Sequence, residues 1–189
     1  MNYFSHPSAL VESENIGSAT RIWAFVHVLK GAEIGADCNI GECCYIESDV
    51  KVGNEVVIKN GVSLWSGLQV EDRVFIGPNV SFTNDRIPRA KVFHEHYEET
   101  LVREGASIGA NATILCGITL GSWCVVGAGS VVTHTVPDFG LVYGNPAQLR
   151  GWICTCGKPL PLEVDGEGQA QCMCGEVYII SRGQLRRQS

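Results

Sequence analysis

Every sixth residue of this chain is apolar over most of its length, and that spacing limits the fold more than any other feature. From Leu10 the beat falls on Ile16, Ile22, Val28, Ile34, Ile40, Ile46, Val52, Ile58, Leu64, Val70, Ile76 and Phe82, then stops. It resumes at Val102 and runs through Ile108, Ile114, Leu120, Val126 and Val132. In a chain that is 45% apolar, so many consecutive hits arise by chance on the order of a few times in ten million. The residue two before the beat is small or apolar at most steps, among them Val26, Ala32, Cys38, Cys44, Val50, Val56, Val62, Val74, Val80, Ala106, Ala112 and Cys124. Two inward positions separated by one outward residue are what a short strand offers to one face. Gly follows the beat at Gly17, Gly35, Gly41, Gly53, Gly77, Gly109, Gly121 and Gly127. These glycines are expected to make bends, because Gly adopts backbone angles closed to other residues. A strand and a bend every six residues predict an all-β solenoid of parallel strands around a dry aliphatic interior. A helix of 3.6 residues per turn cannot keep this period.

The two runs, 10–87 and 102–137, are separated by the polar, off-beat stretch 88–101, PRAKVFHEHYEETL. It is predicted to be an excursion loop, and long loops on rigid scaffolds are where function concentrates. A formal charge of −6 argues against a nucleic-acid partner. No apolar run approaches the roughly 18 residues of a membrane helix. The start of the chain carries Glu12 and Glu14 instead of a basic segment followed by an apolar one, so no membrane association and a cytoplasmic location are expected. Nine cysteines, an odd number without a secretory signal, read as buried thiols plus a metal site in preference to a disulfide framework.

Several segments narrow the reading further: IWAFVHV at 22–28, GPNVSFTND at 77–85 followed by Pro88 and Arg89, GASIGANATI at 105–114, VGAGSVVT at 126–133 and GNPAQLRGW at 144–152. With the six-residue beat, they resemble the hexapeptide-repeat acyltransferases, and among these the nucleotide-sugar N-acetyltransferases that acylate a 3-amino group. The resemblance is strongest to the UDP-2-acetamido-3-amino-2,3-dideoxy-glucuronate N-acetyltransferases of surface-polysaccharide assembly, with the dTDP-3-amino-3,6-dideoxyhexose acetyltransferases as near relatives. It implies a left-handed parallel β-helix of triangular section over residues 1–150, with a small cysteine-knuckle lobe over 151–189. The hand comes from the resemblance alone, since parallel crossovers are otherwise right-handed. It also implies acetyl-CoA as co-substrate, a nucleotide-linked amino sugar as acceptor, and a homotrimer with its sites between chains.

Attack of a sugar amine on a thioester needs a neutral nitrogen held in line with the carbonyl, a donor for the developing oxyanion, and a route for the surplus proton. By resemblance, Asn84 is the asparagine at the edge of the active site. Its amide oxygen can orient the amine but cannot serve as a general base. His27, outward from the coil by parity, is the second catalytic candidate. No histidine stands beside the FTND segment in sequence; His94 and His96 lie in the loop. Arg86, Arg89 and Lys91 offer cations to a diphosphate, with Arg89 matching the family's Pro-Arg pair. Lys59 and Asn60 precede Thr83 and Asn84 by 24 residues, one coil plus one hexad, which places them on a neighbouring side of the prism. They share a groove with Asn84 only around a corner or across a subunit boundary. The resemblance further assigns backbone contacts with the pantetheine arm to Ser107, Gly127 and Ala128, and a CoA phosphate to Arg150.

After Trp152 the beat is gone, and Cys154, Cys156, Cys172 and Cys174 form two CxCG knuckles with 15 residues between Cys156 and Cys172. Such a pair can hold a tetrahedral zinc, although the usual knuckle has two residues between its cysteines; free thiols are the alternative. Three other functions compete with N-acylation. An O-acetyltransferase should need a histidine base to activate a hydroxyl. A γ-type carbonic anhydrase on the same fold needs three histidines converging on zinc, and His94 with His96 lack that spacing. A non-enzymatic scaffold is the third, since fold alone does not confer activity.

Overall fold

In the computed structural model, which describes residues 2–92, 94 and 96–188, the repeat winds into a three-sided parallel β-helix. The first side begins at Phe4–Ser5 and continues through Arg21–Ile22, Asn39–Ile40, Val57–Ile58, Phe75–Ile76, Ser107–Ile108, Val125–Val126 and Gly140–Gly144. The second runs from Leu10–Val11 to Val131–Val132, and the third from Asn15–Ile16 to Thr119–Leu120. No helix among the described residues is long and apolar enough to cross a membrane. Phe93 and Glu95 of the predicted loop lie outside the described residues.

Each coil satisfies its backbone on the next. Val57 N–H donates to the carbonyl of Val74 and Lys59 N–H to that of Ile76, both at 2.9 Å, and the same pattern repeats along the prism. The beat residues point inward: Ile22, Ile40, Ile58, Ile76, Ile108 and Leu120 are wholly buried in one continuous core. Full burial of each such side chain is worth about 1.5–3 kcal/mol. Thr20, a polar residue at an inward position, is tolerated because its hydroxyl donates to Gly35 O at 2.7 Å and accepts from Cys38 N at 3.0 Å.

The glycines that follow the beat are there for a reason other than bending. None of them has a positive φ. The left-handed residue lies three after the beat and is often not glycine: Ala19, Phe25, Asp37, Cys43, Asn79, Asn111 and Trp123 hold φ between 54° and 61°. Left-handed backbone costs such residues about 1–2 kcal/mol. The turn aims their amides at the preceding coil in return, as in Asp37 N to Ser18 O at 2.9 Å and Asn79 N to Asn60 O at 3.0 Å. The glycines one after the beat are required by close stacking. A methyl on Gly77 would lie 2.7 Å from Ala110 N and 2.8 Å from Ile108 O, and one on Gly109 would lie 2.5 Å from Ala128 N.

The strands depart from the six-residue reading at four places. The first coil is one residue short: Leu10 pairs with His27 and Val11 with Val28, so Val11 takes the inward place and Leu10 is 54% exposed. The helix starts at Phe4, ahead of the predicted run. The loop occupies 84–99 in place of 88–101, because Thr100 and Leu101 pair with Leu68 and Gln69 in Thr100–Val102. At the other end, the division at 150/151 falls inside Ala147–Ile153, which pairs with both Gly140–Gly144 and Pro159–Leu160. Coil and tail therefore share a sheet. A second apolar cluster of Trp152, Leu160, Tyr178, Ile180 and Leu185 packs against Phe139 and Leu149, beside the antiparallel sheet Gly168–Gln171, Val177–Ser181 and Gln184–Arg187.

Cys38, Cys44 and Cys124 lie in the core as small apolar fillers. Burial pushes the Cys44 thiol up to about 11 and the Cys124 thiol up to about 12. Brief alkylation of the native protein at mildly alkaline pH, read by peptide mass spectrometry, is expected to label exposed Cys43 while sparing these three until the coil unfolds. The steric role of the stacking glycines is tested by two substitutions. Gly77→Ala should cost about 1–3 kcal/mol by overpacking, whereas Gly129→Asn, at φ 69° in open space, should cost less than about 1 kcal/mol because asparagine tolerates that backbone. Equal losses in chemical denaturation would contradict the assignment.

Candidate active site

The coil opens at the corner between its second and third sides. Thr83 is the last residue bound to it, donating its N–H to Ile114 O at 3.1 Å and accepting on Oγ1 from Cys116 N at 3.0 Å. Asn84, half-buried, is the first residue of the loop. Arg86 closes the loop neck: its Nε lies 3.2 Å from Glu98 Oε2, and its Nη2 donates to Cys116 O at 3.3 Å. Next to Asn84, Asp85 accepts the amide of Ile87 on Oδ1 at 2.8 Å and holds His94 Nε2 3.2 Å from Oδ2. The His94 ring meets Tyr97 edge-on, with centroids 6.2 Å apart. Asn84, Asp85, His94, His96 and Tyr97 line an open pocket of about 340 Å³, at the small end of ligand sites.

This arrangement alters several expectations. A histidine does stand beside the FTND segment, delivered by the loop of the same chain. The Asp85–His94 pair could not be read from the sequence, since eight off-beat residues separate the partners and no period sets their geometry. Arg86, expected to offer a cation to a phosphate, also meets Glu98 and the coil. Arg89 is exposed and donates to the neighbouring Pro88 O at 3.0 Å, and Lys91 is exposed as well.

His27 does not join Asn84 within the chain. It lies on the second side in the ladder His27, Tyr45, Ser63, Ser81, three steps from the strand that precedes Asn84. At about 4.8 Å per step, that is about 14 Å. Its Nε2 is buried without a hydrogen bond among the described residues, 3.8 Å from Glu12 Oε2, and its ring packs edge-on against Tyr45 with centroids 5.6 Å apart.

Lys59 and Asn60 sit at the corner between the first and second sides, a full side away from Asn84. Asn60 Oδ1 accepts the amide of Glu42 at 3.2 Å, as Asn54 does for Ala36 at 2.9 Å and Asp72 for Asn54 at 2.7 Å. That oxygen is used in stacking one coil on another. Gly127 and Ala128 occupy the same corner in a later coil. The Arg150 guanidinium lies 5.9 Å from the centre of the Tyr143 ring, and Tyr143 in turn covers Gly127. Ser107, half-buried on the first side, pairs with Val125 just before them. Thus Ser107, Gly127, Ala128 and Arg150 share one edge of the late coils, and Asn84 stands at another.

The tail brings its four cysteines together. The Sγ atoms of Cys154, Cys156, Cys172 and Cys174 all lie within 4.8 Å of one another. Burial works to raise the Cys154 thiol, but hydrogen bonds from the Tyr178 hydroxyl and from Cys156 outweigh it and draw the group down to about 6.

Comparison with known proteins gives the constellation a context. The family described as bacterial transferase hexapeptide (six repeats) matches residues 15–48 and 99–134. Over 180 residues the chain is 51% identical to the dTDP-3-amino-3,6-dideoxy-alpha-D-galactopyranose 3-N-acetyltransferase of Aneurinibacillus thermoaerophilus, covering 95% of this chain and 92% of that one. It is 36% identical over 121 residues to serine acetyltransferase 2 of Arabidopsis thaliana, covering 63% of this chain but only 32% of the longer enzyme. Among solved structures, AntD, an N-acyltransferase from Bacillus cereus in complex with dTDP and 3-hydroxybutyryl-CoA, superposes with a TM-score of 0.52 at 16% identity, over 80% of each chain, a likeness of fold alone. With the coil, its loop and its tail matched over nearly their whole length, the chain belongs to the bacterial hexapeptide-repeat transferase family.

Proposed function

We propose that this protein transfers the acetyl group of acetyl-CoA to the 3-amino group of a dTDP-linked 3-amino-3,6-dideoxyhexose. The observation that carries the reading is the 51% identity, over 95% of the chain, to an enzyme named for that reaction on the galacto sugar. The same match favours the dTDP-linked acceptor over the UDP-linked aminoglucuronate suggested by sequence resemblance. The geometry of the opened corner is compatible with the chemistry. Asn84 Oδ1 accepts a hydrogen from the sugar amine and turns its lone pair toward the thioester. The new C–N bond forms as the C–S bond breaks, and CoA departs as thiolate. Asp85 engages His94 through Nε2, leaving Nδ1 as the ring nitrogen that takes the proton shed by the amine. Arg89 and Lys91, both unburied, are available to the diphosphate.

The active assembly is proposed to be a homotrimer, as the family resemblance implies. The apolar rings Phe4, Trp23, Phe25 and Phe75 on the outside of the coil support a buried contact, Phe25 being 67% exposed in the single chain. A neighbouring chain would then supply the wall that the shallow pocket lacks.

O-acylation is the second reading, and the Asp85–His94 pair is what favours it, since a hydroxyl acceptor requires such a base. Thiol release from acetyl-CoA, measured with dTDP- and UDP-linked 3-amino sugars, their hydroxyl counterparts and no acceptor, separates the readings. Release with the dTDP-linked amine alone is expected, and release with hydroxyl acceptors would overturn N-acylation. Asn84→Ala should lower kcat about a hundredfold with unchanged circular dichroism. His94→Gln should lower it by a similar factor, and full activity in that variant would remove His94 from the proton's path.

A further inference from the structure

The tail cluster has features that the acyl transfer does not use. Its two knuckles are built alike. Cys154 N donates to Lys158 O at 2.9 Å and Gly157 N to Cys154 O at 2.8 Å; Cys172 N donates to Glu176 O at 2.8 Å and Gly175 N to Cys172 O at 2.9 Å. Two copies of one turn thus face each other, each presenting one buried and one exposed thiol. Cys154 and Cys174 are 3.5 Å apart at sulfur, as are Cys156 and Cys172. A disulfide would bring these atoms to about 2.05 Å. A tetrahedral ion with metal–sulfur bonds of about 2.3 Å needs sulfurs about 3.8 Å apart, close to what is found. Every pair lies within 4.8 Å, which fits one ion and is tight for a multi-iron cluster. The outer donors are present as well: the Tyr178 hydroxyl donates to Cys154 Sγ at 3.2 Å and is itself held by Thr155 N at 3.0 Å.

We propose that Cys154, Cys156, Cys172 and Cys174 bind one structural zinc ion as a tetrathiolate, tying the end of strand Ala147–Ile153 to the sheet Gly168–Arg187. Four thiolates leave no open position for a substrate or water, so the ion is not catalytic. It is wanted because the tail alone buries few large side chains, chiefly Trp152, Tyr178, Ile180 and Leu185, too few for a lobe of this size to stand unaided. The first knuckle is continuous with the coil and the second with the terminal sheet, so the ion fixes one to the other. This inference does not depend on the acceptor sugar or on the acyl reaction.

The test is metal analysis of the full-length protein purified without chelators, with cobalt(II) as a spectroscopic substitute. One zinc per chain is expected, together with thiolate-to-cobalt charge-transfer bands and strong visible ligand-field bands on substitution. Cys156→Ser and Cys174→Ser, both at exposed thiols, should lower zinc content at least about tenfold, while Cys43→Ser leaves it unchanged. Zinc removal should open the tail to proteolysis between 153 and 187 while the coil stays resistant. Iron in place of zinc, Cys154–Cys174 and Cys156–Cys172 disulfides in the purified protein, or zinc content unchanged in both knuckle variants would overturn the proposal.

Discussion

Successive coils touch through bare backbone, and most of the molecule follows from that contact. At Gly17, Gly35, Gly77 and Gly109 there is no room for a methyl group between one coil and the next. The parallel ladder can then close with its N–H groups on the following coil, and the inward isoleucines and valines stack into a single column. A structure held this way can vary only at outward strand positions, at corners and where a loop leaves the coil. Candidate chemistry is found at just those places. The loop 84–99 departs at a corner, and its neck is pinned by Arg86 to Glu98 and to the carbonyl of Cys116. Asn84 and the Asp85–His94 pair are therefore attached to the stiffest part of the fold although they lie outside it.

The three-sided section also separates what the proposed reaction must unite. Asn84 stands at the corner between the second and third sides; Gly127 and Ala128, with Arg150 close by, stand at the corner between the first and second. A rigid prism cannot bend one corner toward the other. A second copy laid alongside can set its own corner against the first, which is how the proposed trimer would assemble an acceptor site and a CoA site into one groove. Lys59 and Asn60, remote from Asn84 in one chain, share the Ala128 corner and would face a neighbour's Asn84 in such a groove.

Much of the fold was legible in the sequence because the interior obeys one period. The beat and its inward partners mark the core, and the polar gap marks the loop to within a few residues. What could not be read were departures from the period: the shortened first coil, which turns Leu10 outward, and the recovery of the ladder at Thr100, whose register is set by Gly67 and Leu68 of the coil before. The glycines are evident in the sequence but their stacking role is not, because their φ and their closeness to the next coil are both invisible in one dimension. The site was half legible. Asn84 sits in a distinctive segment, but the approach of His94 to Asp85, and of Arg86 to Glu98 twelve residues on, depends on the path of a loop without periodicity.

In the proposed trimer one reaction site is shared between two chains, and subunit mixing distinguishes that arrangement from a site within one chain. Asn84→Ala leaves the Ala128 corner, proposed to take CoA, intact, and Ala128→Trp obstructs that corner while leaving Asn84 in place. Each variant alone should lose most of its activity, about a hundredfold for Asn84→Ala, and co-refolded mixed oligomers, verified by native mass spectrometry, should regain acetyl transfer because some grooves combine two intact corners. Mixed oligomers that form but stay inactive would contradict a shared site and return the whole of it to a single chain.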